Sequence, residues 1–330
     1  MRVAIAGCGR LAERGYVPAA LATAGVEIVG FADPDLERLD LCRHLWEQEG
    51  GGLVSAFASP EELLQNEPID LLVIAAPAAH HLALAEAAAA AGVRSLVEKP
   101  PAPDLEGARR LAQLDPQPLL AFNRRFLQGE ELREAIPAEG WLELDLELRF
   151  RRAAWGAHEA RDEALLDAGI HLIDLACFLT DSAPIAVRGA QIEQERADLE
   201  LELTRGRARI RCATDRSHRE TVSIHNRSGK LLARSNWGGL RSRLAGVLGK
   251  PDPLVLSLQR HLEAVQATGV SLMEPPHLLL QQGYPRRPPQ SPLATAADGV
   301  AAMAVVEAAH RSAELGGAEV TVAPVAEIPA

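Results

Sequence analysis

Two hydrophobic patterns follow one another along this sequence of 330 residues, and they predict two kinds of sheet. In the first part, short and mainly apolar runs occupy residues 3–6, 70–75 and 93–97, and stretches rich in helix-forming residues separate them. Such runs are typical of strands that are buried on both faces of a parallel sheet, with helices as connections. The first part is therefore predicted to consist of βα units.

The second part shows strict alternation instead of continuous runs. Between Trp141 and Arg151, leucines and Phe150 take every second position, and charged residues take the positions between them. A period of two belongs to a strand with one buried and one exposed face. The alternation returns at residues 199–203 and 207–212, on either side of a turn. These segments predict a sheet whose outer face is densely charged.

A glycine-containing turn follows the first strand, and an acidic residue closes the second strand. Gly7 allows a tight turn, Gly9 lets the backbone approach a pyrophosphate, and Ala12 keeps the next helix close to the strand. Asp33 could accept hydrogen bonds from an adenosine ribose, and it would repel a 2′-phosphate. The sequence thus predicts a dinucleotide site that prefers NAD to NADP, with a glycine turn of some other α/β protein as the alternative. The residues expected at the cofactor in this region are Gly7, Gly9, Arg10, Leu11, Ala12 and Asp33.

Composition and charge argue against several other classes of protein. The chain is 47% hydrophobic but has no apolar run long enough to cross a bilayer, so we expect a cytoplasmic protein without a membrane partner. A net charge of -11 disfavours nucleic acid as a partner, because phosphate binding requires clustered basic residues. The four cysteines lack the paired spacing of a zinc site or a disulfide framework, so we expect buried thiols and no metal.

Residues at the carboxyl ends of the later parallel strands are expected to line the cofactor cleft. Pro77 and His81 follow one of these strands, and the turn of Glu98, Lys99 and Pro100 follows the next. A lysine beside a nicotinamide can donate a hydrogen bond to the reacting oxygen and share in the proton transfer. The alternative for Lys99 is an ordinary surface lysine at the end of a strand.

The segment LLDAGIHLIDL, residues 165–175, carries the candidates for proton transfer. A helix would place Asp167 and His171 on one face, where a carboxylate and an imidazole could meet one substrate hydroxyl. The same spacing also fits a core histidine that is satisfied by hydrogen bonds. Asp174, one turn later, could support His171, although a structural acid is the more common case for such a position.

With these motifs in this order, the chain resembles the Gfo/Idh/MocA family of NAD(P)-dependent sugar and cyclitol oxidoreductases. The resemblance implies a Rossmann-type doubly wound parallel sheet, followed by an α+β domain with an open, mainly antiparallel sheet. We place the boundary near Asn123, with the dinucleotide-binding domain at residues 1–123 and the substrate-binding α/β domain at residues 124–330. The segments that carry the resemblance are AIAGCGRLA, ADPD, AAPAAHHLALAEAAAAAG, VEKP, FNRRF, LLDAGIHLIDL and VVEAAHRSAELGGAEVTV.

The resemblance also implies a reaction and a catalytic set. In the family, the lysine of the EKP motif and the aspartate and histidine of the later helix are catalytic, which carries over to Lys99, Asp167 and His171. We expect hydride transfer between NAD and a secondary alcohol or ketone of a sugar, a sugar derivative such as a nucleotide sugar, or a cyclitol. His171 is assigned as the principal acid/base, Asp167 as the group that orients it or holds a neighbouring hydroxyl, and Lys99 as the group that polarises the reacting oxygen. Whether His171 or Lys99 moves the proton stays open.

Two other functions are compatible with the same motifs. One is a redox enzyme that recycles a tightly bound cofactor, and the other is a non-catalytic, dinucleotide-binding regulator. The expected substrate site comprises Lys99, Asp167, His171 and Arg124. Arg124 and the adjacent Arg125 could meet an anionic substrate, or they could form interdomain ion pairs instead.

Several features depart from the family pattern. Arg161, Asp162 and Glu163 stand where the family usually has glycines, which puts the shape of the substrate pocket in doubt. Residues 236–253, which contain Arg241, Arg243 and Lys250, and the proline-rich residues 283–292 match no family motif. Loops of this kind often choose the substrate, and their basic residues permit a carboxylated or phosphate-bearing sugar as well as a neutral polyol.

Family members commonly associate through the outer face of the second sheet. Because protein interfaces deplete charge at their centre, a densely charged face predicts a homo-oligomer that is smaller or more polar than is usual for the family.

Overall fold

The computed structural model describes residues 1–155, 162–238, 252–268 and 292–324, and these residues form two seven-stranded sheets. The strands of the first sheet are β1 (Arg2–Ala6), β2 (Glu27–Ala32), β3 (Ser55–Phe57), β4 (Leu71–Ile74), β5 (Arg94–Val97), β6 (Leu119–Leu120) and, from much later in the chain, β13 (Ala294–Thr295). They lie in the order β13-β6-β5-β4-β1-β2-β3, with β1 to β6 parallel. The strand order reverses between β1 and β4, which is the point where such sheets bind their ligands.

Both faces of the first sheet are covered. Alternate residues of β1 belong to different hydrophobic clusters, since Val3 and Ile5 pack into one and Ala4 and Ala6 into the other. This two-sided burial explains the mainly apolar runs in the sequence and confirms the predicted parallel sheet. The helices of this part are α1 (Val17–Ala22), α2 (Leu36–Gln48), α3 (Pro60–Asn66), α4 (Ala78–Ala90) and α5 (Leu105–Ala112).

The second sheet is mainly antiparallel, as predicted. Its strands are β7 (Leu142–Arg151), β8 (Pro184–Glu193), β9 (Arg196–Leu203), β10 (Gly206–Ala213), β11 (Asp215–Asn226), β12 (Leu231–Gly238) and β14 (Val320–Thr321). Their order is β12-β11-β7-β10-β9-β8-β14, and β7 pairs with β10 in parallel while the other neighbours pair antiparallel. On β7 the four leucines of residues 142–148 are buried, so the strand has the one-sided burial that its alternation predicts.

The remaining helices are α6 (Glu130–Glu134), α7 (Ile170–Thr180), α8 (Pro253–Ala267) and α9 (Ala296–Glu314). Every residue of α7 is buried, because the helix packs against β7 and β10 on one side and against α9 on another. This burial accounts for the mainly apolar sequence around Asp167 and His171. Within the described ranges, no helix is long and apolar enough to span a membrane.

The chain returns to the first sheet after the predicted boundary at residues 123 and 124. β13 pairs antiparallel with β6, and α8 packs against α1. A division at this point therefore separates the two parts of the chain in sequence order but not completely in space. A two-residue strand such as β13 has no hydrophobic pattern from which it could be predicted.

The described residues include three single turns of wider helix. They span Ala12–Tyr16, Arg125–Gly129 and Leu165–Gly169, and each is closed by an N–H that donates to the carbonyl five residues earlier. Each runs directly into α1, α6 or α7, respectively. Such single wide turns are frequent at functional sites, because the extra residue redirects neighbouring side chains.

Candidate active site

The glycine turn after β1 has the backbone that a dinucleotide requires. Gly7 has a φ of 99°, and a Cβ at this position would lie 2.6 Å from the carbonyl carbon of Ala75. Both observations demand glycine. A Cβ on Gly9 would meet no heavy atom within 4 Å, so the backbone of Gly9 borders open space. Ala12 is fully buried, in the same hydrophobic cluster as Val3 and Ile5 of β1.

Asp33 lies beside this turn at the end of β2. One carboxylate oxygen accepts the N–H of Cys8 at 2.6 Å, and the other accepts the N–H of Asp35 at 2.8 Å. The acid is thus fixed next to the open space at Gly9, where a ribose would follow a bound pyrophosphate. Arg10 is exposed at the turn and pairs with Glu13 at 3.3 Å, and Leu11 is half-buried. These residues fit a dinucleotide.

His81 has a supporting position that the sequence does not reveal. Its Nδ1 lies 2.9 Å from the carbonyl oxygen of Pro100, and its Nε2 lies 2.7 Å from that of Ala76. The ring is buried, and this burial lowers the pKa of His81 although both carbonyls favour the protonated form. His81 therefore links the loops after β4 and β5, and its ring is enclosed by protein. A position near a strand end predicts proximity but not the direction of the side chain. Pro77, in contrast, is exposed at the start of α4.

Lys99 joins the two parts of the molecule. Its Nζ donates to Oδ1 of Asp167 at 2.8 Å and to the backbone carbonyl of Asp167 at 2.9 Å. Lys99 follows β5 of the first sheet, whereas Asp167 lies in the wide turn before α7. The two candidate residues, 68 positions apart in sequence, therefore meet at the carboxyl end of the parallel strands.

Asp167 is bound by a second cation that the sequence analysis missed. Nε and Nη2 of Arg152 lie 2.9 and 2.7 Å from Oδ2 of Asp167. Burial alone would raise the pKa of Asp167, but Lys99 and Arg152 outweigh it and hold the pKa below its ordinary value. Arg152 directly follows the alternating strand β7, and nothing in that alternation marks it as a site residue.

The expectation that Asp167 orients His171 is not met by the geometry. Both carboxylate oxygens of Asp167 are engaged by Lys99 and Arg152, and Nδ1 of His171 has no hydrogen-bond partner among the described residues. Side chains four residues apart share a face only in a regular α-helix. The turn Leu165–Gly169 is wider, which changes the angle between the two side chains.

His171 is a buried and neutral imidazole. It is 6% exposed, and its ring meets the edge of Phe122 with ring centres 6.3 Å apart. Burial lowers the pKa of His171 well below its ordinary value, and the nearby positive charges of Lys99 and Arg124 lower it further. At neutral pH this side chain is therefore in the neutral form, which can accept a proton.

The two arginines after β6 have different surroundings. The Nε of Arg124 lies 3.0 Å from Oε1 of Glu220, a buried acid that also accepts a hydrogen bond from Gln128. Arg125 is fully buried and forms a two-point ion pair with Asp174 of α7. The contacts of Asp174 are therefore those of a buried structural acid, which is the alternative named above. They are not those of a group that supports His171. Arg124 is the one of the two that stays partly exposed.

Several candidates from the sequence lie outside the described residues. They are Arg161, Arg241, Arg243, Lys250 and the segment 283–291. Of the acids in place of the family glycines, Glu163 pairs with His310 of α9 at 2.6 Å. The four cysteines are buried and form no disulfide among the described residues, and within the same ranges no three His, Cys, Asp or Glu side chains form a metal-binding cluster.

Comparison with known proteins places this geometry in context. Residues 1–117 match the family model Gfo/Idh/MocA, described as an oxidoreductase family with an NAD-binding Rossmann fold. The YceM protein of Salmonella typhimurium, which is described as an oxidoreductase without a named substrate, is 26% identical over 77% of this chain and 82% of its own. D-apiose dehydrogenase of Paraburkholderia graminis is 30% identical over 53% of this chain, a match that spans about half of that protein, 48%.

A solved structure shows the same fold over nearly the whole length. Myo-inositol dehydrogenase from Lactobacillus casei, determined in complex with NAD(H) and myo-inositol, superposes with a TM-score of 0.71. The match covers 98% of this chain and 97% of that one at 16% sequence identity. The NAD-binding Rossmann fold of the first part and the two-domain architecture therefore agree with known dehydrogenases.

Proposed function

We propose that this chain, whose residues 1–117 match the Gfo/Idh/MocA oxidoreductase family, transfers a hydride between NAD and a secondary alcohol or ketone of a sugar, a sugar derivative or a cyclitol. The observation that carries the proposal is the contact between Lys99 and Asp167, at 2.8 Å, beside the neutral imidazole of His171. It brings proton-handling groups from both halves of the chain to the ligand-binding end of the parallel sheet.

NAD supplies the hydride chemistry when it is bound, so the chain needs to bind it, orient the substrate and move one proton. The glycine turn and Asp33 would hold the dinucleotide. In alcohol oxidation, Nε2 or Nδ1 of His171 accepts the hydroxyl proton, because the imidazole is neutral at the working pH. In ketone reduction His171 first takes up a proton from solvent, and the same nitrogen then gives that proton to the oxygen as the hydride reaches the carbonyl carbon.

Lys99 assists through charge and position. Its ammonium group donates hydrogen bonds, and Asp167 together with Arg152 fixes where that group lies. A substrate oxygen that approaches Lys99 accepts a charge-assisted hydrogen bond, which stabilises negative charge as it develops on the oxygen. In this arrangement His171 moves the proton and Lys99 polarises the reacting oxygen.

Arg124 adds a contact for the remainder of the substrate. Glu220 holds its Nε side, and the guanidinium stays partly exposed. A guanidinium in this setting binds sugar hydroxyls or a carboxylate through paired hydrogen bonds. The substrate class therefore includes both neutral polyols and acidic sugars.

The test is a cofactor titration followed by a substrate panel. NADH fluorescence should show saturable binding, and cyclitols, aldoses, glycosides and sugar acids are then screened with NAD for absorbance of the reduced cofactor. Lys99→Met and His171→Ala should keep NADH binding and lose turnover by a factor of about 10² to 10⁴. Binding of NADH without turnover of any compound in either direction would favour the regulator, and the absence of binding would contradict the proposal outright.

A further inference from the structure

A buried hydrogen bond connects the dinucleotide turn to the residue that precedes Lys99. The hydroxyl of Tyr16 donates to Oε1 of Glu98 at 2.7 Å, across 82 positions of sequence. Tyr16 is the last residue of the wide turn Ala12–Tyr16, which begins three residues after Gly9, and Glu98 follows the last residue of β5. The contact therefore joins the helical turn after β1 to the carboxyl end of β5, and β4 lies between these two strands in the sheet.

Glu98 continues this connection to Lys99. Its second oxygen, Oε2, accepts the backbone N–H of Lys99 at 3.2 Å. Both oxygens of this one buried carboxyl group thus accept a hydrogen bond, one from the hydroxyl of Tyr16 and one from the backbone N–H of Lys99. Lys99 is then held at two points, its N–H by Glu98 and its Nζ by Asp167.

The burial of both side chains gives the contact its importance. Tyr16 is 1% exposed and Glu98 is 5% exposed, so water cannot fully replace the hydrogen bond if either partner is removed. Burial raises the pKa of Tyr16 well above its ordinary value, and the phenol remains a hydrogen-bond donor at any working pH. Burial also raises the pKa of Glu98, while the Tyr16 hydroxyl and the charge of Lys99 oppose this rise.

We propose that Tyr16 and Glu98 are positioning residues. Together they fix the position of Lys99 relative to the wide turn Ala12–Tyr16, which follows the glycine turn. Neither residue needs to touch the substrate, since Tyr16 acts on Glu98 and Glu98 acts on the backbone of Lys99. The inference rests on the proposed function in one respect, because the position of Lys99 matters for catalysis only if hydride transfer occurs here.

The small number of lysines allows a direct measurement that does not need a substrate. The chain contains three lysines, Lys99, Lys230 and Lys250, and Lys230 is exposed. Trace acetylation of the intact protein, followed by proteolysis and mass spectrometry, gives the reactivity of Lys99 relative to Lys230. Tyr16→Phe removes only the hydroxyl, and it should raise this ratio about threefold or more, because the backbone of Lys99 is then held less firmly and its Nζ leaves Asp167 more often.

A matched control lies close by in the same part of the chain. The hydroxyl of Thr23, directly after α1, is also buried and donates to the carbonyl of Ala19 at 2.7 Å. Thr23→Val removes a hydroxyl that has a similar structural role but no connection to Lys99. It should leave the acetylation ratio unchanged, even where it lowers the melting temperature as much as Tyr16→Phe does.

A double-mutant cycle separates a connected pair from two independent residues. Glu98→Ala should raise the acetylation ratio. Glu98→Gln should raise it less, because the amide keeps the shape of the side chain and one acceptor oxygen. Adding Tyr16→Phe to Glu98→Ala should change the ratio no further. In turnover, Tyr16→Phe should lower kcat about tenfold and leave KM and the Kd of NADH within about twofold, the pattern of an interaction used in the transition state.

The outcomes keep the two proposals apart. Additive effects of Tyr16→Phe and Glu98→Ala, or a Tyr16→Phe protein that matches Thr23→Val in acetylation and kcat, would overturn the positioning role while leaving hydride transfer intact. A wild-type protein that turns over no compound, but whose Lys99 reactivity responds to Tyr16→Phe and not to Thr23→Val, would overturn the proposed function and leave the connection established.

Discussion

At the scale of single residues, the neutral state of His171 determines how activity should depend on pH. The pKa of His171 lies well below its ordinary value of about 6.5, through burial and the charges of Lys99 and Arg124. Alcohol oxidation needs the unprotonated ring. We therefore expect kcat/KM for oxidation to stay constant from pH 8 down past about 6.5, and to fall only where His171 becomes protonated.

The fall in kcat/KM at low pH, the acidic limb of that profile, identifies the group that accepts the proton. Lys99→Met should lower the rate and keep the acidic limb, whereas His171→Ala should lower the rate and abolish the limb. If the limb persists in His171→Ala and disappears in Lys99→Met, then Lys99 moves the proton and the assignment is reversed. The measurement is a series of initial rates with NAD across the pH range, in buffers of constant ionic strength.

Asp33 should control the choice between the two dinucleotides. Its carboxylate is fixed beside the glycine turn by the N–H groups of Cys8 and Asp35, so it cannot move away from a 2′-phosphate without losing both bonds. Asp33→Asn keeps an acceptor oxygen and removes the charge. We expect it to tighten NADPH relative to NADH by about tenfold, the factor that about 1.4 kcal/mol of removed repulsion provides.

The control for this prediction is the neighbouring acid. Asp35 caps α2 by accepting the N–H groups of Glu37 and Arg38, and Asp35→Asn removes the same charge two residues away. Fluorescence titration of each variant with NADH and NADPH gives the four dissociation constants. An equal shift in both variants would show that the general field, and not the contact at Asp33, sets the preference.

At the scale of elements, the ion pair between Arg125 and Asp174 should be structural and not catalytic. Arg125 is fully buried, and it joins the wide turn after β6 to α7 and to Asp298 at the start of α9. Asp174→Asn leaves a buried guanidinium with an incomplete partner, which costs about 3 to 5 kcal/mol of unfolding free energy. Urea unfolding measures that loss, and kcat of the folded fraction should stay within about threefold.

A nearby acid provides the comparison. Asp181 ends α7 with a φ of 49° and is exposed, and asparagine tolerates this backbone well. Asp181→Asn should change the unfolding free energy by less than about 0.5 kcal/mol. A large loss of kcat in Asp174→Asn with normal stability would instead place Asp174 in the chemistry.

The elements themselves show what sequence patterns can and cannot predict. β4 and β7 were predictable because burial on two faces and on one face leaves different periods in the sequence. β13 was not, since two residues carry no period. The wide turn Leu165–Gly169 was not predictable either, and within it Asp167 contacts Arg152. Lys99, Asp167 and His171 could be named from motifs, but their partners depend on how the two sheets come together.

At the scale of the whole molecule, buried histidines should make the fold sensitive to acid. Burial lowers the pKa of His261 to about 3, and the rings of His261 and Phe126 stack with centres 4.5 Å apart. A folded-state pKa below the unfolded value means that the unfolded chain binds more protons as the pH falls. The stability that His261 provides is therefore complete above about pH 6.5 and is lost progressively down to about pH 3, by at most about 5 kcal/mol.

The corresponding experiment compares how steeply the unfolding free energy changes with pH in each variant, and not its absolute value. His261→Phe keeps a ring against Phe126 and should flatten the dependence of unfolding free energy on pH between about 6.5 and 4. His80→Asn, at an exposed histidine in α4, should leave that dependence unchanged. Equal slopes in wild type and His261→Phe would mean that other groups govern acid unfolding. His81 and His171, whose pKa values burial also lowers, are then the next to replace.

The outer face of the second sheet bears on assembly, because its charges are already paired within the chain. Arg207 lies 3.1 Å from Glu143, Arg209 lies 3.0 Å from Asp198, and the pattern places basic β10 between acidic β7 and β9. A partner would have to remove water from these pairs without supplying the apolar contact that interface centres usually have. We propose that any homo-oligomer through this face is small and salt-sensitive.

Light scattering during size-exclusion chromatography tests this at low salt and at about 1 M salt, where exposed charges are screened beyond about 3 Å. The expected result is a monomer, or a dimer whose mass falls as salt rises. Arg209→Glu places an acid between the acidic strands β7 and β9, and should dissociate such a dimer even at low salt. A tetramer whose mass neither salt nor Arg209→Glu changes would mean that this ion-paired face is not what holds the subunits together, and the argument from its charge would fail.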